Sequence, residues 1–336
     1  MGGVLRRAEV SILSPLRYPG AKRRLSGYIA EAIKLNALKS RLFVEPFAGG
    51  ASVALQLLND GLVGQIALGE RDPMVASFWK IVFTDSEWLV DRVQRLSITL
   101  DKWDQYRERP GATDRERALA CLFLNRTSFS GILARGAGPI GGRRQDSAYK
   151  LDCRFNVETI VRRIRQAAQL RSGVLFVECA SWRETVEKVR TLKYPARDIL
   201  YYFDPPFYNK AERLYRYYFD KNEHRELHDT IMTLRSPWLL SYDPAEAIIA
   251  MYSHNGRGPR HVDLLYSVRG SGSPAEAREL VISNLRRLPT RTRLWRSSEE
   301  WGLPAARARA APSASAPRRT AAADSRAFTM SGGSHG

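Results

Sequence analysis

Cysteine is scarce in this chain of 336 residues: Cys121, Cys153 and Cys179 are the three present. An odd number at wide spacing makes neither a disulfide framework nor a CxxC metal site. Each is expected to be a small buried apolar residue of a protein kept in a reducing cytoplasm. Long apolar runs are also missing. No stretch of about 18 apolar residues occurs, so no membrane span is expected. The segment from Met1 to Arg7 leads into nothing resembling a secretory signal. Acidic charge is in short supply as well. Against 35 Asp and Glu stand 53 Lys and Arg, a formal net charge of +18. A field of that sign draws polyanions: nucleic acid, an anionic membrane face or acidic proteins. Hydrophobic residues make up 44%, enough to bury a sizeable core.

What is present organises as strand, turn, helix, strand. Leu42-Phe43-Val44-Glu45-Pro46-Phe47 begins with an apolar run that predicts a buried strand. Ala48-Gly49-Gly50 turns the chain. Ala51, Ala54, Leu55 and Leu58 then recur at helical spacing. Residues 65–69 predict a second strand and Phe78, Trp79 and Val82 a following helix, the opening of a parallel α/β sheet. Over residues 85–171 helical periodicity takes over, with helices predicted at 88–96, 115–125 and 157–170. Between the last two lies a Gly-rich loop, 131–142, followed by Arg143-Arg144-Gln145. The block is net basic. Strand patterns return at 174–178, 199–203, 237–242 and 279–284, with 264–268 a partner for the last and a helix at 223–234. From Trp301 onward the chain is mostly Ala, Arg, Ser, Pro and Gly with few large apolar residues, and five Arg and one Asp follow that tryptophan. Such a composition predicts a disordered tail.

The sharpest chemical signal is Asp204-Pro205-Pro206-Phe207 at the end of a predicted strand, where α/β sheets place their sites. An aromatic amine is a poor nucleophile because its lone pair is delocalised. A carboxylate accepting one N–H and a carbonyl accepting the other favour a pyramidal nitrogen, and Asp204 with the Pro205 carbonyl fits that need. The prolines stiffen the loop, and Phe207 offers a flat face for an unstacked base. An Asp-Pro-Pro run is equally the sequence of a rigid surface turn. Glu45-Pro46-Phe47-Ala48-Gly49-Gly50 is a strand-to-helix turn open to a ligand, and also a common tight βα turn. Glu70, ending the next strand, has the position of a ribose-binding acid or of a solvated loop acid.

In order along the chain, Arg17-Tyr18-Pro19-Gly20-Ala21-Lys22, Glu45 to Gly50, the basic block and Asp204 to Phe207 resemble the Dam-type (class alpha) adenine-N6 DNA methyltransferases. Leu124-Asn125-Arg126-Thr127-Ser128-Phe129-Ser130-Gly131 resembles the entry to that family's recognition region. Leu239 to Asp243 and Glu279 to Asn284 resemble its later strands. The resemblance spans roughly residues 15–285. It implies an α/β, Rossmann-like S-adenosylmethionine-dependent methyltransferase sheet with an inserted, mainly helical target-recognition domain. The catalytic domain would comprise 11–84 and 172–300, the insertion 85–171 and the tail 301–336. It implies S-adenosylmethionine as cofactor, double-stranded DNA as partner and no metal, and it is compatible with a partner restriction nuclease. Carried over by position, Tyr18, Lys22, Glu45, Phe47, Gly49, Glu70, Trp182 and Asp204 line the cofactor pocket. Asp204, Pro205, Pro206 and Phe207 hold the adenine. Arg126, Arg143, Arg144 and Gln145 face DNA, reading base edges or holding phosphates.

Two positions depart from the family. Phe207 stands where Tyr is commoner, keeping the stacking face without the hydroxyl. Ser181-Trp182 stands where an Asp precedes an aromatic, so Ser181 offers a weaker acceptor to the cofactor's adenine amine. His224 and His228 have a zinc-compatible i, i+4 spacing, but Arg225 replaces the Glu of zincins, and both are expected on a helix surface. Acceptors other than adenine in DNA (cytosine N4, an RNA base, a protein amide) use related loops, and a non-catalytic DNA-binding relative is a further alternative. Cytosine C5 is disfavoured, because its nucleophilic Cys usually follows Pro. Here the cysteines follow Ala, Asp and Glu.

Overall fold

The computed structural model describes residues 12–17, 22–209, 211–253, 258–266 and 275–294. Tyr18 and the Ala/Arg/Ser-rich tail therefore lie outside the described residues. The centre is a seven-stranded sheet of order β3-β2-β1-β4-β5-β7-β6. Its strands are β1 (Leu42–Glu45), β2 (Gln65–Glu70), β3 (Val174–Cys179), β4 (Ile199–Phe203), β5 (Trp238–Tyr242), β6 (Arg260–Tyr266) and β7 (Ala275–Ser283). The first five are parallel, while β7 runs antiparallel to both β5 and β6. The fold is α/β and Rossmann-like, with helices on both faces. Strands β1, β4 and β5 are buried at every position, which is why they appear in the sequence as unbroken apolar runs.

Side chains alternate between two cores. Phe43, Ile66, Leu200 and Leu239 point to one, and Leu42, Ala67, Ile199 and Leu240 to the other. The first core is covered by α1 (Arg23–Leu35), α2 (Ser52–Asn59) and α3 (Pro73–Thr84). The second is covered by α8 (Trp182–Thr191), α10 (Lys221–Met232) and α11 (Glu246–Tyr252). Several helix starts carry their own signal. Asp72 accepts the Met74 N–H ahead of Pro73 at the first position of α3, and Ser181 with Glu184 forms a capping box on α8.

Residues 85–171 hold four α-helices and a long loop. They form α4 (Ser86–Gln94), α5 (Leu100–Glu108), α6 (Asp114–Thr127) and α7 (Val157–Ala168). Leu89, Trp103, Phe123 and Ile164 from these helices share one core with Phe78 and Val82 of α3. The described residues between 12 and 294 form a single compact unit. Helices α1, α5, α8, α9 (Ala211–Leu214) and α11 have no counterpart in the sequence expectations.

Two sequence expectations fail here. His224 is not on the surface. It is 2% exposed, its Nδ1 2.7 Å from the Tyr242 hydroxyl, and burial lowers its pKa to about 4. It faces the sheet because Leu227 and Ile231 share its side of α10. Only Cys121 is the buried residue expected of all three cysteines. Cys153 and Cys179 are exposed, one in a turn and the other on the last residue of β3. No helix among the described residues is long and apolar enough to cross a membrane.

Candidate active site

Strand β1 ends in Glu45 and β4 ends one residue before Asp204, side by side where the strand order changes direction. The turn after β1 has a positive φ of 45° at Gly49 and 46° at Ala51. That geometry turns the Gly49 N–H onto the Glu70 carboxylate at 2.8 Å and the Gly49 carbonyl onto the Trp79 indole N–H at 2.8 Å. Glu70 also accepts the Asp72 N–H at 2.8 Å. Burial pushes its carboxyl up to about 7, against the pull of these backbone donors. A cleft opens here, lined by Lys22, Glu45, Phe47, Gly49, Glu70, Trp182 and Asp204 among others.

In the cleft wall, the buried Glu45 Oε2 and the Trp182 indole nitrogen make no hydrogen bond among the described residues. The other Glu45 oxygen accepts the Ala54 N–H in the first turn of α2 at 3.1 Å. Burial holds this carboxyl well above the usual range. An orphaned acceptor and an orphaned donor fit a ligand carrying both kinds of group.

Asp204 stands at the inner end of the cleft. Its Oδ1 accepts the Ser241 hydroxyl at 2.6 Å, and Ser241 is in turn 2.8 Å from the Tyr202 hydroxyl. The Lys22 ammonium lies 3.5 Å from the same oxygen and 2.8 Å from Glu279 Oε2. Burial raises the Asp204 carboxyl to about 6; Lys22 and Ser241 pull it down and Glu279 pushes it up. Oδ2 accepts no hydrogen bond among the described residues, and the side chain keeps 27% exposure. The family model of the D12 class N6 adenine-specific DNA methyltransferases matches residues 18–264.

The chain belongs to this class. It is an enzyme that methylates adenine N6 in DNA, and its family uses S-adenosylmethionine as methyl donor. No curated protein matches the chain. The fold brings most of the methyltransferase's expected cofactor residues to one cleft: Lys22, Glu45, Phe47, Gly49, Glu70, Trp182 and Asp204. Pro206 lines it too, whereas Phe207 sets its ring 6.1 Å from Tyr215 and 5.2 Å from the Lys22 ammonium. Ser181, weighed as an acceptor for the cofactor's adenine, spends its hydroxyl on the α8 cap.

The residues expected on DNA divide. Arg143 and Arg144 are exposed, Arg143 pairing with Asp104 at 2.6 Å. Arg126 does not face solvent. It is 6% exposed and donates to the Pro15 carbonyl, and burial beside Arg163 and Arg17 lowers its pKa to about 9. Gln145 is an internal strut. Its amide donates to the carbonyls of Ile140 and Gly142 at 2.7 and 2.6 Å, and its carbonyl accepts the Leu151 N–H at 2.8 Å. Asp204, the sole acid of its own loop, gains carboxylate neighbours from elsewhere in the chain. Glu279, Ser241 and Tyr202 were missed as site residues. The available signals were an acid inside an apolar strand and a polar residue in a fully buried one. No cluster of metal-ligating residues occurs among the described residues.

Proposed function

We propose that Asp204, Pro205, Pro206 and Phe207 hold an adenine flipped out of double-stranded DNA, and that the cleft beside them holds S-adenosylmethionine. The observation that carries this reading is the asymmetry of Asp204. Oδ1 is fixed by Ser241 and Lys22, while Oδ2 accepts no hydrogen bond among the described residues, which leaves a preorganised acceptor for the N6 amine. The Pro205 carbonyl takes the second amine hydrogen, and both contacts direct the nitrogen lone pair. The bound cofactor supplies a methyl group on a sulfonium, so no covalent enzyme intermediate is needed. Phe207 stacks on the base. Glu45 and Trp182, with their orphaned atoms, hold the cofactor's polar groups. Glu70 receives ribose hydroxyls, and Lys22, Phe47 and Gly49 complete the pocket. Tyr18 contributes as the family resemblance implies. Residues 85–171 engage the target sequence, with Arg143 and Arg144 on DNA. A companion nuclease and a cytoplasmic location fit this reading.

The test uses tritium transfer from labelled S-adenosylmethionine to duplex DNA, followed by nucleoside analysis. Label in N6-methyladenine that disappears with Asp204→Ala, in a folded protein that still binds DNA, is the expected result. Label in N4-methylcytosine, or undiminished transfer by Asp204→Ala, overturns the assignment.

A further inference from the structure

Glu279 sits in the middle of β7, 3% exposed, between Arg278 and a run of core residues, Leu280, Val281 and Ile282. A carboxylate in such a strand is costly unless paired. Its partner is the Lys22 ammonium, which lies nearer to Glu279, at 2.8 Å, than to Asp204, at 3.5 Å. Lys22 pairs with both acids, so Asp204 shares this cation with Glu279. Left with Asp204 alone, the ammonium would close on it. A tight ion pair there withdraws the lone pairs that an incoming amine needs, and the low dielectric of a buried site strengthens the pairing.

We propose that Glu279 is a positioning residue for methyl transfer: it draws Lys22 off Asp204, so that Asp204 is held by the ammonium without being consumed by it. This rests on the role assigned to Asp204 above. The two acids reach Lys22 because β7 inserts antiparallel beside β5, next to β4. The groups facing Asp204 are Lys22 ahead of α1, Glu279 on β7, Glu45 on β1, Tyr202 on β4, Ser241 and Tyr242 on β5, and Tyr215 in the segment after Asp204. Glu279 is the acid that raises Asp204, and Lys22 the base that lowers it.

The experiment is single-turnover methylation of a duplex substrate across pH by wild type, Glu279→Gln and Glu279→Asp, with cofactor affinity measured by calorimetry. Gln keeps the shape and an acceptor and removes the charge. We expect its plateau rate to fall by about tenfold or more, with the acid limb moving to lower pH and cofactor affinity changing less than about threefold. Asp, keeping the charge, restores most of the rate. An acid limb unmoved in Glu279→Gln, or Asp failing wherever Gln fails, overturns the proposal and leaves a merely structural ion pair. Wild-type protein that does not methylate adenine fails the functional reading instead. If Glu279→Gln does not fold, carbon-detected titration of wild-type carboxyls decides. Asp204 and Glu279 signals shifting in concert support the coupling, and independent titrations overturn it.

Discussion

A carboxyl group is a much stronger acceptor for an amine when ionised, and burial works against ionisation. At Asp204 the balance of burial, Lys22, Ser241 and Glu279 leaves the carboxyl at about 6. The group is therefore ionised above that value and protonated below it. The free enzyme's kcat/KM for DNA should fall as pH drops through about 6. A rate that stays level well below that point would separate Asp204 from the chemistry. Asp204→Ala should lose on the order of 100- to 1000-fold in single-turnover rate, and Asp204→Asn should be nearly as poor, since it turns a donor toward the amine. Phe207→Tyr should be tolerated, while Phe207→Ala gives up a stacking contact worth roughly 1–3 kcal/mol. Asp204 could be identified from its own tetrapeptide. Ser241 and Glu279 could not, because each becomes a neighbour only through the order β4-β5-β7.

At the scale of elements, the turn that closes α6 does more than enter a basic loop. Asn125 is fully buried, accepts the Arg17 N–H at 2.7 Å, and donates to the carbonyls of Arg17 and Gly131 at 3.0 Å each. Gly131 has φ +74°, and a Cβ there would stand 2.2 Å from the Arg17 carbonyl oxygen. Arg17 is thus held against the start of the expected recognition block. Gly131→Ala meets both backbone strain and a clash with main chain. It should destabilise by about 1–3 kcal/mol and weaken cofactor binding by displacing Arg17, which precedes Lys22 in the sequence. Asn125→Ala should cost a similar amount by leaving buried backbone groups unpaired. Urea unfolding and calorimetry with S-adenosylmethionine check both, and unchanged cofactor affinity in a folded Gly131→Ala protein would uncouple the two segments. The sequence showed the motif but not its direction. Arg126 follows Asn125 into the packing against Pro15, where an arginine in a DNA methyltransferase is easily taken for a phosphate ligand. Gln145, a loop amide of the kind that can read a base, here braces its own loop.

At the scale of the whole molecule, strand periodicity and the motif order carried the parallel sheet, because central strands are apolar throughout and their C-terminal ends hold the motifs. They did not carry the relation between sheet and insertion. Helices α4 to α7 bury Leu89, Trp103 and Phe123 in the same core as α3, and composition alone looks the same whether such helices pack on the sheet or on each other. A shared core fixes helices α4 to α7 relative to the sheet, and phosphate contacts from the basic loop between α6 and α7 should act directly on DNA affinity. Of the +18 formal charge, the residues after Trp301 hold five Arg and one Asp, leaving most of the excess before them. Affinity for duplex DNA should therefore fall steeply with salt, each neutralised phosphate adding about −0.9 to the slope of log K against log salt. Arg144→Ala, at an exposed loop position, should flatten that slope by about one contact and leave calorimetric cofactor binding unchanged. Deleting residues 302–336 should leave both the slope and the methylation of a short duplex nearly as they were. Fluorescence anisotropy over a salt series measures the slopes. A truncated protein that folds and binds cofactor but loses most of its salt dependence would move the DNA-binding charge from the body of the molecule to its C-terminal segment.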